Sequence, residues 1–442
     1  MCTTPALPTL PSQARLGLPP YKDVSEDTFT NYNWQIRNTL KKPRDLYDFL
    51  EAVLPQHLQP SQNPLFAAIR TKQDFIDNVA AGIAKASMET RITPQVLSRI
   101  DWENALEDPI RKQFIPLACG IPPNHPKLML DSLGEERDTK VPGLIQRYPG
   151  RALFLALSTC PVYCRFCTRS YAVGGNTTAV SKKPQKPSRM RWEIAFDHIE
   201  RDASIKDVVV SGGDAYHLQP EHLRLIGERL LRIDHIKRIR FASKGLAVAP
   251  CRITDDDPWT QTLIDISNQG RRAGKQVCLH THFNSPREIT WVTEVATRRL
   301  FLNGVTMRNQ TVLLKGVNDD KRVMEELIQK LADMNVEPYY IYQCDLVPNV
   351  EDLRTPLKTI IDLDKYIRGR VSGFMMPSFV VDLPGGGGKR LVSTFEECIE
   401  EEGQKAYRFS APGLPGKEKE PFYYYDPLES PAEACCKNDR PP

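Results

Sequence analysis

Cys160, Cys164 and Cys167 stand in the segment Cys-Pro-Val-Tyr-Cys-Arg-Phe-Cys, which follows the apolar run 153–157 after Ser158 and Thr159. A strand that ends in such a loop offers three thiolates from one short stretch of backbone. Three thiolates can hold three irons of a cubane 4Fe–4S cluster and leave the fourth iron without a protein ligand. An open iron can take a small molecule through an amine and a carboxylate. Structural zinc is one alternative, but it needs a fourth ligand at a sensible spacing. The nearest histidine, His198, lies far along a helix-like segment. Three unrelated cysteines are the other alternative. The chain's 11 cysteines are unevenly spaced, which argues against a disulfide framework and for cluster or metal chemistry in any tight group.

The segment Phe-Val-Val-Asp-Leu-Pro-Gly-Gly-Gly-Gly-Lys, residues 379–389, is the second unusual feature. Four consecutive glycines carry a large entropic cost, so close backbone approach or positive φ angles are expected there. A phosphate-binding P-loop is excluded. That motif needs a glycine where Leu383 stands and a Ser or Thr where Arg390 stands. A surface turn is the bland alternative. A lysine presented on a glycine loop suits Schiff-base chemistry with pyridoxal 5′-phosphate, and Lys389 is the candidate.

These groups need a scaffold, and the chain's texture predicts one. The first 140 residues read as mostly helical, with segments 43–53 and 87–100 at helical spacing, and carry no chemistry-bearing motif of their own. From residue 141, β-rich runs at 152–158, 207–210, 238–242, 276–281, 300–308, 336–343 and 379–381 alternate with helical segments at 191–201, 220–231, 260–273, 286–298 and 321–335. Such alternation predicts an α/β protein built on a partial βα-barrel, with chemistry at the C-terminal ends of the strands. Residues 393–442 read as an extension, with Pro, Lys and Glu making it loosely ordered from residue 413. The basic loop 180–188 reads as a solvated surface insertion.

Taken together, the cysteine trio, Ser211-Gly212-Gly213-Asp214-Ala215, the segment 339–346 (YYIYQCDL) and the glycine run with its lysine resemble the lysine 2,3-aminomutase family of radical S-adenosylmethionine enzymes. The resemblance runs from about residue 21 to 392. It implies an open, six-unit βα-barrel of radical SAM type (141–392) with an N-terminal helical region (1–140) and a C-terminal extension (393–442). It implies a 4Fe–4S cluster on Cys160, Cys164 and Cys167, S-adenosylmethionine near Ser211, Gly212, Gly213, Asp214 and Gln310, and pyridoxal phosphate on Lys389 with Arg147, Tyr148 and Arg151 near its phosphate. It further implies Arg169 on the substrate carboxylate and Asp345 with Asp382 on the distal ammonium of lysine. Near the site it also aligns His282 and Asn284, whose plain alternative is a packed strand-end histidine and a turn asparagine. The activity implied is a radical 1,2-amino shift from L-lysine to β-lysine. An altered substrate such as arginine, or a non-catalytic cluster- or coenzyme-binding homologue, are the alternatives. An electron donor such as flavodoxin or ferredoxin and a homo-oligomer are the implied partners.

Departures fall close to this centre. Thr168-Arg169-Ser170-Tyr171 stands where the family often has an arginine run, Ser243-Lys244-Gly245-Leu246 where it has Ser/Thr-Arg-x-Pro, and His280 where asparagine is common. Asp320 replaces a cysteine that some members use in an intersubunit zinc site, and only Cys435-Cys436 stands in the tail, so no such zinc is expected.

Bulk properties are those of a globular protein: 442 residues, 40% hydrophobic and 26% charged. A net charge of +4 is too small to argue for nucleic acid or a membrane surface. No apolar run suits a membrane span, and residues 1–20 lack a secretory core. A cytoplasmic location is expected, with an organellar address as the alternative.

Overall fold

The alternation read from the sequence becomes a continuous ten-stranded sheet whose spatial order follows the chain. The computed structural model describes residues 18–183, 185–255, 257–401 and 404–428. The sheet runs β1 (Thr139–Val141), β2 (Leu144–Tyr148), β3 (Arg151–Leu157), β4 (Asp207–Gly212), β5 (Arg238–Ala242), β6 (Gln276–Thr281), β7 (Thr306–Leu313), β8 (Val336–Gln343), β9 (Ser378–Leu383) and β10 (Gly388–Leu391). Neighbours from β3 to β9 pair in parallel. Hairpins add β2 antiparallel to β3 and β10 antiparallel to β9. No pairing joins the two ends of this order, so the barrel is open.

Six helices make the crossovers: Arg189–Arg201, Pro220–Arg232, Pro258–Arg272, Trp291–Leu302, Lys321–Asp333 and Leu357–Ile367. Parallel neighbours need such crossovers, and the six units match the expected six-unit barrel. Each helix buries one stripe. In Pro220–Arg232 the buried residues Leu223, Ile226 and Leu230 fall at helical spacing. Starts are fixed chemically: Asp320 accepts from the backbone N–H groups of Arg322 and Val323, and Pro258 opens its helix.

Two boundaries depart from expectation. The segment 87–100 holds only the short helix Pro94–Leu97. Ile92 instead bridges to Leu40, and Pro94 holds its predecessor Thr93 extended, where its side chain caps the helix. The run 300–308 is not one strand. Leu300 to Leu302 complete the preceding helix, Gly304 turns the chain at φ +73°, and β7 starts at Thr306. Three edge strands (β1, β2 and β10) were not foreseen.

The described part of the C-terminal extension is more ordered than its composition suggests. β11 (Glu397–Glu401), β12 (Gln404–Phe409) and β13 (Phe422–Tyr425) form a separate antiparallel sheet. Phe409 and Tyr424 are buried and join the apolar core that begins at Leu18. Those two residues supply what the count of Pro, Lys and Glu ignored. The basic loop is also misjudged in part: Val180 and Lys182 are buried, because the loop folds back onto the cysteine loop. Cys435 and Cys436, like the segment 1–17, lie outside the described residues. Among the described residues no helix is long and apolar enough to cross a membrane.

Candidate active site

The loop after β3 carries the cysteine trio, and the glycine pair at the end of β4 fixes where that loop begins. Gly213 N–H donates to the Leu157 carbonyl at 2.7 Å, and Asp214 N–H to the Thr159 carbonyl at 3.0 Å. A Cβ on Gly212 would stand 2.1 Å from the Leu157 oxygen, and one on Gly213 2.2 Å from the Thr159 oxygen. Gly212 also has φ +115°. Glycine is therefore required here for backbone-on-backbone packing, before any ligand is considered.

Cys160, Cys164 and Cys167 line one cavity of about 860 Å³, together with Ser211, Gly213 and Asp214. Burial pushes all three thiols up, Cys164 to about 12, so iron must displace protons that the protein alone would keep. Among the described residues no three His, Cys, Asp or Glu side chains gather as ligands of a single metal ion. Thiols spread around a shared space suit a multi-iron cluster better than zinc. Asp214 is committed inward: its carboxylate accepts from the N–H groups of Tyr216 (2.8 Å) and Lys244 (2.7 Å), and burial raises its pKa to about 6. It shapes the cavity wall by holding two loops.

A second cavity, of about 930 Å³, lies between the two edges of the open barrel. Lys389 on β10 sits directly across from Asp382 on β9, and its Nζ donates to Asp382 Oδ2 at 2.7 Å. The glycine run makes that register possible. Gly385, Gly386 and Gly388 have φ of +71°, +86° and +72°. A Cβ on Gly388 would stand 2.7 Å from the Tyr148 hydroxyl, which accepts from Lys389 N–H at 2.8 Å. Side chains thus close the gap that the strands leave open. Arg147 on β2 reaches across to Asp382 Oδ1 at 3.4 Å.

Arg147 and Arg151 part company. Arg147 donates to Asp382, to Asp138 at 3.0 Å and to the Leu133 carbonyl at 2.6 Å, which uses three of its five N–H groups. Arg147 still lines the cavity with N–H groups to spare, but two carboxylates already balance its charge. Arg151 stacks over the Tyr148 ring at 4.0 Å, lines the cavity and has no carboxylate partner among the described residues. It is the arginine free to meet an anion.

The acidic pair is present. Asp345 is half-buried and accepts from Thr168 Oγ1 at 2.6 Å. Burial first, and then the charge of Asp382, push its pKa up to about 7. Asp382 moves the other way. Burial opposes its ionisation, but Lys389 and Arg147 hold it below the usual range. Burial would push the Lys389 ammonium down, yet Asp382 beside it keeps its pKa raised. Lys389 Nζ on Asp382 shows that this carboxylate can accept an ammonium of the kind a lysine side chain carries.

Glu135 was invisible in the sequence. Its buried carboxylate takes Arg169 in a bidentate pair, at 3.0 Å to Nε and 2.8 Å to Nη2, and accepts from Tyr171 Oη at 2.8 Å. Arg169 Nη1 has no partner among the described residues, which leaves its outer edge open to the cavity. Asp138 was missed likewise. Both precede β2 in the stretch 131–138, where acids spaced among polar residues look like an ordinary solvated loop.

Ser211, Ala242, His280 and Gln310 line both cavities and form their common wall. The Gln310 amide nitrogen lies 3.2 Å from His280 Nδ1. His280 Nε2 is buried with no partner, as a group facing a ligand would be. Burial lowers both His280 and His282 to about 3, so both are neutral. His282 Nδ1 lies 2.6 Å from the Gln310 carbonyl, and Asn284 packs inside the wall between Gln113 and His282. These two support the wall.

No protein-family model matches the chain. L-lysine 2,3-aminomutase of Clostridium subterminale is 38% identical over 371 residues, spanning 84% of this chain and 79% of that protein. L-lysine 2,3-aminomutase of Fusobacterium nucleatum is 35% identical over 369 residues, spanning 84% and 77%. Glutamate 2,3-aminomutase of Clostridioides difficile is 31% identical over 365 residues, spanning 83% and 77%. Among solved structures, a radical SAM methyltransferase from Sphaerobacter thermophilus covers 54% of this chain and 68% of that one at 17% identity, and its TM-score of 0.32 is too low to argue from. Identity at this level across most of the barrel, with the cysteine loop, glycine pair and glycine–lysine hairpin in place, shows that the chain belongs to the lysine 2,3-aminomutase family of radical S-adenosylmethionine enzymes.

Proposed function

We propose that the protein is an L-lysine 2,3-aminomutase, an isomerase that moves the α-amino group of lysine to the β-carbon. The single observation that carries this reading is the common wall. One cavity holds three thiols, the other holds a lysine opposite an acidic pair, and both are lined by Ser211, Ala242, His280 and Gln310. A group bound in the first would then be one wall away from a substrate held in the second.

The residues fit the groups that the family uses. Cys160, Cys164 and Cys167 would hold the 4Fe–4S cluster, with S-adenosylmethionine beside Ser211, Gly213 and Gln310. Lys389, Tyr148 and Arg151 would hold pyridoxal phosphate. Bound together, these groups supply a carbon radical and a π-system that stabilises an unpaired electron during the shift. The chain's own residues bind and orient. Arg169, steadied by Glu135, offers the substrate carboxylate its outer guanidinium edge. Asp382 and Asp345 select a cationic far end, and a glutamate side chain would face repulsion there. The aromatic rings of Tyr339, Tyr340 and Tyr342 line the cavity and exclude water. A small-molecule amino acid substrate, a reductant such as flavodoxin or ferredoxin, and a homo-oligomeric, cytoplasmic enzyme complete the proposal. The segments 1–140, 141–392 and 393–442 are proposed as functional units sharing one core.

The test is turnover of an amino acid panel by anaerobically reconstituted enzyme. β-Lysine from L-lysine is the expected product. Conversion of arginine or glutamate alone would overturn the substrate assignment.

A further inference from the structure

The loop after the cysteine trio holds a lysine whose surroundings do not balance its charge. Lys182 is 8% exposed. Its Nζ donates to the carbonyls of Ser87 and Ser170 and approaches the Met88 sulfur at 3.7 Å. Three acceptors match the three N–H groups of an ammonium. All three are neutral, and no carboxylate pairs with Lys182 among the described residues. Glu89, the carboxylate whose field reaches it, is turned to the Gly175 amide at 2.6 Å. The other buried lysine by the trio, Lys244, differs: Glu288 neutralises it at 2.7 Å.

A buried, unpaired ammonium is costly and persists where something nearby repays it. Lys182 follows Ser170, three residues beyond Cys167, in space. Met88, whose sulfur Lys182 approaches, packs with Cys160 and Cys167. A cluster ligated by three thiolates is an anion, and it gains one more negative charge on reduction.

We propose that Lys182 is the counter-charge of the iron–sulfur cluster and a positioning residue that favours its reduced state. The inference rests on the cluster assignment made above. Lys182 belongs to the basic loop 180–188, so this would be a local means of tuning the cluster.

The test uses the full chain, anaerobically reconstituted, with iron and sulfide measured first. Absence of a cluster in the unsubstituted protein would sink the cluster assignment itself. With the cluster present, EPR-monitored redox titration is compared for the unsubstituted protein, Lys182→Met and Lys182→Arg. We expect Lys182→Met to make one-electron reduction about tenfold less favourable, ~59 mV more negative, and Lys182→Arg to stay within about twofold. Thermal melting adds a second readout. The stabilisation that cluster loading confers should shrink in Lys182→Met. Equal potentials in all three proteins, or an equal loss of melting temperature with and without the cluster, would show a loop staple only and overturn the proposal. If Lys182→Met does not fold, a potential for Lys182→Gln that matches the unsubstituted protein overturns it as well.

Discussion

Replacing Asp345 with asparagine removes a charge while leaving nearly the same shape against Thr168. In the structure Asp345 and Asp382 share the field of the Lys389 ammonium, and Asp345 is the one that titrates near neutrality, at about 7. A charged hydrogen bond is worth about 1.5–3 kcal/mol net. Taking about 2 kcal/mol, Asp345→Asn should raise KM for L-lysine about 30-fold, with kcat changed far less. The pH dependence gives a sharper sign. Below pH 7 Asp345 takes up a proton and loses its attraction for the substrate ammonium. Binding of lysine should therefore weaken about tenfold between pH 8 and pH 6. Asp345→Asn should lack that dependence. The same raised pKa acts on stability: the protein is favoured below the unfolded carboxylate value and loses that advantage as pH rises through about 7. Asp345→Asn should therefore melt higher than the unsubstituted protein at pH 8. The assay is steady-state turnover of L-lysine from pH 6 to 8, with L-norleucine as the neutral comparison. An unchanged kcat/KM, or an unchanged pH slope, in Asp345→Asn would refute the role given to the acidic pair.

Other substitutions probe the remaining parts. Lys389→Ala should abolish the lysine-dependent visible band of bound pyridoxal phosphate and all turnover while leaving iron content intact; absorbance spectra and iron assay check this. Glu135→Gln should cost Arg169 its buttress and raise KM for lysine about tenfold, roughly the worth of one charge-assisted bond, with cluster absorbance unaltered. Gly213→Ala should fail to hold a cluster, because its Cβ would meet the Thr159 oxygen at 2.2 Å and displace the start of the cysteine loop; soluble protein with full iron and sulfide would contradict that.

Much of the scaffold was legible because parallel βα units write themselves plainly. β5, β6 and β8 coincide with their expected runs, since buried strands flanked by amphipathic helices leave two clean periods side by side. The edge strands did not show. β1 and β10 are three and four residues long, and β10 owes its place to the glycine turn and to Tyr148, not to any apolar pattern. The helix expected at 87–100 failed because an apolar spacing cannot reveal that Ile92 has a bridge partner at Leu40. The site divides the same way. Cysteines and Lys389 announced themselves by type and spacing. Glu135 and Asp138 did not, because their meaning comes from arginines far along the chain. Asp214 lines the cysteine cavity, and its two backbone-amide bonds to Tyr216 and Lys244 could not be foreseen from the sequence. For Arg147, which the resemblance puts near the coenzyme phosphate, only coordinates could show that Asp138, Asp382 and Leu133 also hold it.

The central claim is that the cysteine cavity and the lysine cavity work as one site on L-lysine. The most direct measurement is product analysis after incubation with L-lysine, S-adenosylmethionine, pyridoxal phosphate and a reductant, without oxygen. The expected product is β-lysine, dependent on both Cys164 and Lys389. Consumption of S-adenosylmethionine with no β-lysine formed, or β-lysine formed equally well by Lys389→Ala, would contradict it.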